Sequence, residues 1–193
     1  MPKIILASTS PYRRSLLSKL GLPFDSAKPD FDETALPGEE PAELALRLAR
    51  GKAQSLANTY TNHLIIGGDQ VAYLPPNQVL SKPGNFARAF EQLSACSGQT
   101  VIFYNGLCLL NSQTGRAQTA VEEFKVRFRP LSDVEIRRYL EREQPYDCAG
   151  SFKVESLGIT LFESLEGRDP NALVGLPLIL LTELLRNEGI ELP

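Results

Sequence analysis

The first twenty-one residues constrain this chain most, because they combine a short apolar strand, a polar loop and a capped basic helix. Ile4, Ile5 and Leu6 form a compact apolar run of strand type. Ser8-Thr9-Ser10 follows, and Pro11 opens a helical pattern through Arg13, Arg14, Leu16, Leu17 and Leu20 that stops at Gly21. Ser10 suits the N-cap and Pro11 the first helical position, where the missing amide hydrogen costs nothing. Gly21 suits the left-handed terminator. Arg13 and Arg14 thus sit in the first turn of a helix, against the sense of its dipole. Amides, hydroxyls and guanidinium groups converging there suit an anion of several charges, such as a polyphosphate. A capped surface helix with two solvated arginines is the alternative these residues leave open.

A chain of 193 residues fits one domain, residues 1–193, with room for two lobes and a substantial core. The net charge of -3 argues against broad nonspecific binding to nucleic acid. No apolar run approaches the roughly 20 residues of a membrane helix, and the N-terminus lacks a signal-peptide pattern. Cys96, Cys108 and Cys148 are odd in number and widely spaced, which points away from disulfide and zinc frameworks and toward a reduced cytoplasm. His63 is the only histidine, so a histidine metal cluster is excluded, and it reads as a polar residue at a strand entrance.

Along the chain, Pro29 to Pro41 is an acidic loop, and Pro41 starts a long helical pattern reaching about Tyr60. Leu64 to Gly68 predicts a short buried strand with Asp69 at its end, and Val71 to Leu74 resumes strand character. Asn85 to Cys96 reads as a helix, Thr100 to Leu110 and Ala117 to Phe128 as strands joined by a turn. Ser132 caps a helix through about Glu143, with Glu135 in the capping-box position. Ile159 to Phe162 predicts a further strand, and Ala172 to Asn187 a last helix interrupted by Gly175 and Pro177. The pattern predicts an α/β protein with a mixed sheet flanked by helices.

Asp69 is the leading candidate for catalysis: an acid after an apolar strand and two glycines is placed like many metal ligands and general bases. Its alternative is an aspartate that starts a turn. Glu33 and Asp32 in the acidic loop would, beside Asp69, supply the hard oxygens that magnesium requires; a solvated acidic loop is the other reading. Lys52 and Lys82 are equally open, although Pro83 holds Lys82 in an extended backbone.

These residues together resemble the Maf family of nucleoside triphosphate pyrophosphatases. The resemblance is carried by ILASTSPYRRSLLSKLG, Asp32-Glu33, Lys52-Ala53, Gly68-Asp69, Lys82-Pro83, Ser97-Gly98 and Asn171-Ala172-Leu173-Val174-Gly175-Leu176-Pro177, in order across nearly the whole chain. It implies hydrolysis of a triphosphate to monophosphate and pyrophosphate with a divalent cation, Mg or Mn. It also implies two lobes around a deep cleft, in a fold like that of inosine triphosphatase, and frequent homodimers. By position, Ser8, Arg13, Arg14, Lys52 and Lys82 become phosphate contacts. Glu33 becomes a metal-site carboxylate, and Asp69 a metal ligand and the proton acceptor. Such cations would stabilise the charge that builds on leaving pyrophosphate.

Three departures from the commonest family pattern bear on the base. Tyr12 stands in place of an arginine, Gln70 follows Asp69 where threonine is common, and Glu155 stands where glutamine is common. The combination is similar to the subfamily acting on 7-methyl-GTP; dTTP, UTP or another modified triphosphate, or a nucleotide-binding role in regulating cell division, are the alternatives. Methylation at N7 makes guanine cationic, so Tyr12 would attract the ring and Glu155 would accept from its N1 and N2 donors. Gln70 both donates and accepts, which leaves its role open. A fourth departure, Gly51 for the glutamate usual before the helix lysine, has no explanation in the sequence; mid-helix glycine costs about 1 kcal/mol relative to alanine.

Overall fold

The opening segment folds as its residues predict. Lys3–Ala7 forms β1 and Pro11–Ser18 forms α1, with Ser10 Oγ accepting the Arg13 N–H at 3.4 Å and Gly21 in the left-handed region. The structure, a computed structural model, describes residues 2–193. After α1 come β2 (Phe24–Ala27), α2 (Pro41–Ser55), β3 (His63–Leu74), β4 (Gln78–Leu80) and α3 (Phe86–Cys96). Then follow β5 (Thr100–Asn111), β6 (Ala117–Phe128), α4 (Asp133–Glu143), a 3₁₀ turn (Leu157–Leu161), β7 (Phe162–Glu166), α5 (Pro170–Val174) and α6 (Leu178–Asn187). Seven strands make one mixed sheet in the order β2-β1-β3-β5-β6-β7, with β4 also on β3. β2 and β3 flank β1 in parallel, while β4 and β7 pair antiparallel with β3 and β6.

The chain divides into two compact units. The first runs to Gln70 and adds residues 105–122 and 169–193. β1 and its parallel neighbour β3 are buried on both faces, as parallel strands covered by helices are. Successive residues of β1 therefore enter different cores. Ile4 and Leu6 pack with Leu16 and Leu17 of α1 and Leu181 and Leu185 of α6, whereas Ile5 and Ala7 pack with Ala49 and Ala53 of α2. This period of two forces helices onto both sides of the sheet.

α2 approaches the sheet closely because both surfaces are small. Ala45, Ala49 and Ala53 recur every four residues on α2 and face Gly67 of β3 and Gly106 of β5. A Cβ at Gly67 would fall on the Ala49 carbonyl oxygen, and one at Gly106 on that of Ala45.

The second unit comprises residues 71–104 and 123–168. Phe103, Phe128, Phe152 and Phe162 meet edge-to-face in its core, with centroids between 4.8 and 5.7 Å apart. That is the favoured geometry for aromatic pairs. α4 has the full capping box between Ser132 and Glu135.

Some elements differ from the sequence expectation. β3 continues through Asp69 rather than ending there, because β4 pairs back onto Ala72–Leu74 and keeps the chain extended. α2 ends at Ser55, and the residues to Tyr60 follow as turns closed by bonds such as Ala57 N–H to Gln54 O. Ile159–Leu161 is 3₁₀ rather than strand, since its would-be partner β6 ends at Phe128, opposite Phe162. β2, β4 and β7 have no clear signal in the sequence; each is short.

Candidate active site

Asp69 lies past the carboxyl end of the parallel β1–β3 pairing, whose last pair is Leu6 with Ile66. Ligands in open α/β sheets bind outside such strand ends. From the same end of β1 the chain enters the Ser8–Ser10 loop and the first turn of α1. Ser8 is buried, and its Oγ accepts the Ser10 N–H at 3.1 Å, which shapes the loop that delivers Arg13.

Lys52 reaches Asp69 from α2. Its Nζ donates to Asp69 Oδ1 at 2.6 Å, and Glu33 Oε2 lies 2.9 Å from the same nitrogen. Lys52 and Asp69 are 6% and 8% exposed, whereas the Glu33 side chain is 58% exposed, so one buried pair carries a third, wetter partner. The close seating of α2 on Gly67 sets this meeting: the glycine lies two residues before Asp69 and the alanines flank Lys52.

Arg13 completes the cluster. Its Nε donates to the Gly175 carbonyl at 2.9 Å. Burial pushes the guanidinium pKa down, while the charges of Asp69 and Glu33 push it back up. Two cations and two carboxylates thus balance within one unit.

The segment from Asp169 to Pro177 is the frame around these groups. Gly175, at φ 118, ends α5 and turns its carbonyl to Arg13. Gln70 Nε2 donates to Ala172 O at 2.9 Å and lies near Leu173 O at 3.2 Å and Asn105 Oδ1 at 3.1 Å. The residue after Asp69 is therefore tied to α5 by its side chain. Asp169, fully buried, accepts the Asn171 N–H on Oδ1 and the Ile179 N–H on Oδ2, joining α5 to α6. Sequence reading missed Asp169 and Asn105, although Asp169 before Pro170 carried the signal of a helix N-cap.

The acidic loop, 28–40, has no regular secondary structure, yet it is pinned. Arg47 donates through Nε and Nη2 to the Glu39 carboxylate at 2.5 and 2.8 Å, and through Nη2 to Thr34 O at 3.0 Å. The Arg47 guanidinium and the Leu36 N–H hold the Glu39 carboxyl down at about 2. Asp32 turns into its own loop, where Oδ1 accepts from the Thr34 N–H and hydroxyl. Of the two neighbouring acids, Glu33 joins the cluster and Asp32 shapes the loop.

The remaining sequence candidates stand elsewhere. Tyr12 is half-buried and Arg14 exposed, both on α1. Lys82 and Glu155 belong to the second unit and are exposed. Glu155 lies in a turn tied to α4 on either side: the Lys153 N–H donates to Tyr139 OH at 3.1 Å and the Leu157 N–H to Glu143 at 3.0 Å.

Comparison with known proteins gives the family. Residues 3–188 match the family described as Maf-like protein. The chain belongs to the Maf family. A relative from Nitrosococcus oceani, named 7-methyl-GTP pyrophosphatase, is 57% identical over 188 residues, 97% of this chain and 94% of the relative. Relatives of the same name from Alcanivorax borkumensis and Pseudomonas aeruginosa are 57% and 54% identical, covering all of this chain and 97% and 100% of their own lengths. The mixed seven-stranded sheet is consistent with a Maf fold.

Proposed function

We propose that this chain hydrolyses 7-methyl-GTP to 7-methyl-GMP and pyrophosphate, removing a modified nucleotide from the pool. Support comes from the names of relatives above half identity over their whole length. The observation that carries the chemistry is the Lys52–Asp69 pair, buried at the parallel strand ends with Arg13 and Glu33 beside it.

In this reading Asp69 accepts the proton of the attacking water and orients it toward the α-phosphorus, whose bond to the α–β bridging oxygen breaks as pyrophosphate leaves. Lys52 holds Asp69 in place with one N–H and Glu33 with another, leaving its third for a phosphate oxygen. Arg13, fixed at Nε by Gly175, points its terminal nitrogens at the charge that develops in the transition state. Ser8, Arg14 and Lys82 add contacts along the triphosphate.

The donors suit Mg or Mn. Glu33 and Asp69 already bracket one positive group, the Lys52 ammonium, and hard carboxylate oxygens are the ligands such ions take. No set of three or more acidic, histidine or cysteine ligands gathers among the described residues, so the two carboxylates would share the ion with substrate phosphates. When bound, the ion would neutralise phosphate charge and acidify water.

Base choice falls to Glu155 and Tyr12, an anionic acceptor for a donor-rich edge and an aromatic face for a cationic ring. Gln70, held to α5, would meet the base only through its carbonyl side. We place the reaction in the cytoplasm. None of the three cysteines is in a disulfide, which suits a reducing compartment. Among the described residues no helix is long and apolar enough to cross a membrane.

The test is pyrophosphate release from a panel of 7-methyl-GTP, GTP, dTTP and UTP. 7-methyl-GTP should lead, and Asp69→Asn should lower its turnover by about 10²–10⁴. Preference for a pyrimidine triphosphate, or wild-type turnover in the variant, refutes the assignment.

A further inference from the structure

Gly51 finds its reason in the acidic loop. The far end of the Phe31 ring, atoms Cζ, Cε1 and Cε2, occupies the place that a Cβ on Gly51 would take. Gly51 lies in the body of α2, where its missing side chain weakens the helix, so the notch must be useful for something other than helix formation. Phe31 is an exposed loop residue with no secondary structure around it, yet the far end of its ring is against the helix at Gly51.

Phe31 and Arg47 hold the loop on α2 at two points one helical turn apart. Arg47 and Gly51 are spaced i,i+4 and so share one face of the helix. On that face Arg47 takes Thr34 O and Glu39, and Gly51 takes the Phe31 ring. Glu33 falls between the two points, bounded by Phe31 on one side and Thr34 on the other. Its side chain is 58% exposed, and solvent on that scale would not by itself keep a carboxylate on Lys52 at 2.9 Å. The backbone on both sides does so.

We propose that the Phe31 ring seated in the Gly51 notch is a positioning device that holds Glu33 on Lys52 and at the cation site. Phe31 touches no reacting atom; it acts through Glu33. The inference rests on the role given to Glu33 above and assigns it a support within this chain.

The experiment compares wild type with Phe31→Ala, Gly51→Ala and the double variant. Amide hydrogen exchange across residues 30–40, without metal or nucleotide, reads the loop directly. Each single variant should speed exchange of the Thr34 and Leu36 amides about tenfold, and the double should match the singles, because the seated ring is lost only once. In turnover of 7-methyl-GTP, each should raise the Mn concentration for half-maximal rate about three- to tenfold while kcat at saturating Mn stays within about twofold. Gly51→Ala favours the helix itself, so a merely structural residue would leave the loop unmoved. Phe31→Tyr adds a control: its hydroxyl would extend from Cζ into the helix, so it should behave like Phe31→Ala.

Unchanged exchange in the single variants overturns the proposal. So do faster exchange with an unchanged Mn requirement, and losses that add in the double variant. A wild type that releases no pyrophosphate refutes the proposed activity instead, and with it the placement of Glu33 at a cation site, while the exchange result still decides whether the ring holds the loop.

Discussion

Replacing Lys52 by methionine probes the pair on which the site depends. The substitution keeps most of the side-chain volume and removes the ammonium from Asp69 and Glu33. Lys52 and Asp69 are nearly buried, and removing one partner of a buried pair costs about 3–5 kcal/mol. The low end applies, because the Arg13 guanidinium also faces Asp69 and Glu33 and compensates part of the loss. The Glu33 contact, 58% exposed, adds no more than about 1 kcal/mol. A loss of about 3 kcal/mol lowers Tm by about 6–12 °C in a chain of this size. Urea unfolding followed by circular dichroism at pH 7 measures it. Lys52→Met with Asp69→Asn leaves no uncompensated charge in the pair and should recover about 2 kcal/mol of the loss. A Lys52→Met protein within about 1 kcal/mol of wild type, or a double variant as unstable as the sum of the singles, refutes the buried-pair reasoning.

Glu155→Gln should shift the ratio of kcat/KM for 7-methyl-GTP over UTP by about one to two orders of magnitude toward UTP, and Tyr12→Ala by less. A ratio that moves in neither variant removes both from base selection. Gly67→Ala drives a Cβ into the Ala49 carbonyl and should cost about 1–3 kcal/mol in urea unfolding; a neutral effect would mean that α2 sits farther from the sheet than the structure has it. Burial pushes the thiols of Cys96 up to about 12 and Cys108 up to about 11, against Arg50 in the latter case. These folded values exceed the unfolded thiol value of about 8.5, so the stability they reflect is whole below that pH and lost as pH rises toward 11 and 12. A thiol reagent at pH 8 should accordingly label Cys148 quickly and the other two only on unfolding; rapid reaction of all three contradicts their burial.

Much of the fold was legible because it rests on short-range chemistry. The Ser10 cap and Pro11 start of α1 and the Ser132–Glu135 box of α4 formed as their residues predict, through bonds between residues three apart; Asn85, read as the first residue of α3, caps it in the same way. The apolar run of Thr100 to Leu110 likewise placed β5, and the imperfect alternation of Val121, Phe124, Val126 and Phe128 with charged residues placed β6. β2 and β4, of four and three residues, were not legible, because so short a strand is stabilised by the neighbour it pairs with and not by its own pattern. The 3₁₀ turn at Leu157–Leu161 replaced a strand for the same reason: the neighbour strand had ended.

The site divides the same way. The sequence alone determined which residues were available: Asp69 after an apolar run, Arg13 in a capped first turn, a lysine on a helix and an acidic loop. Tertiary structure decided which of them meet. Lys52 reaches Asp69 because alanines on α2 and glycines on β3 and β5 let helix and sheet close together, a fit between surfaces that no local spacing encodes. It separated Glu33 from Asp32, neighbours of identical charge, by the direction each side chain takes once the loop lies on Arg47. It also gave Gly51, a defect when read along the helix, a use as the space for a ring brought from twenty residues earlier. Hydrogen bonds and dihedral preferences act within a turn and can be read in order, whereas packing depends on which distant surfaces are pressed together when water is excluded.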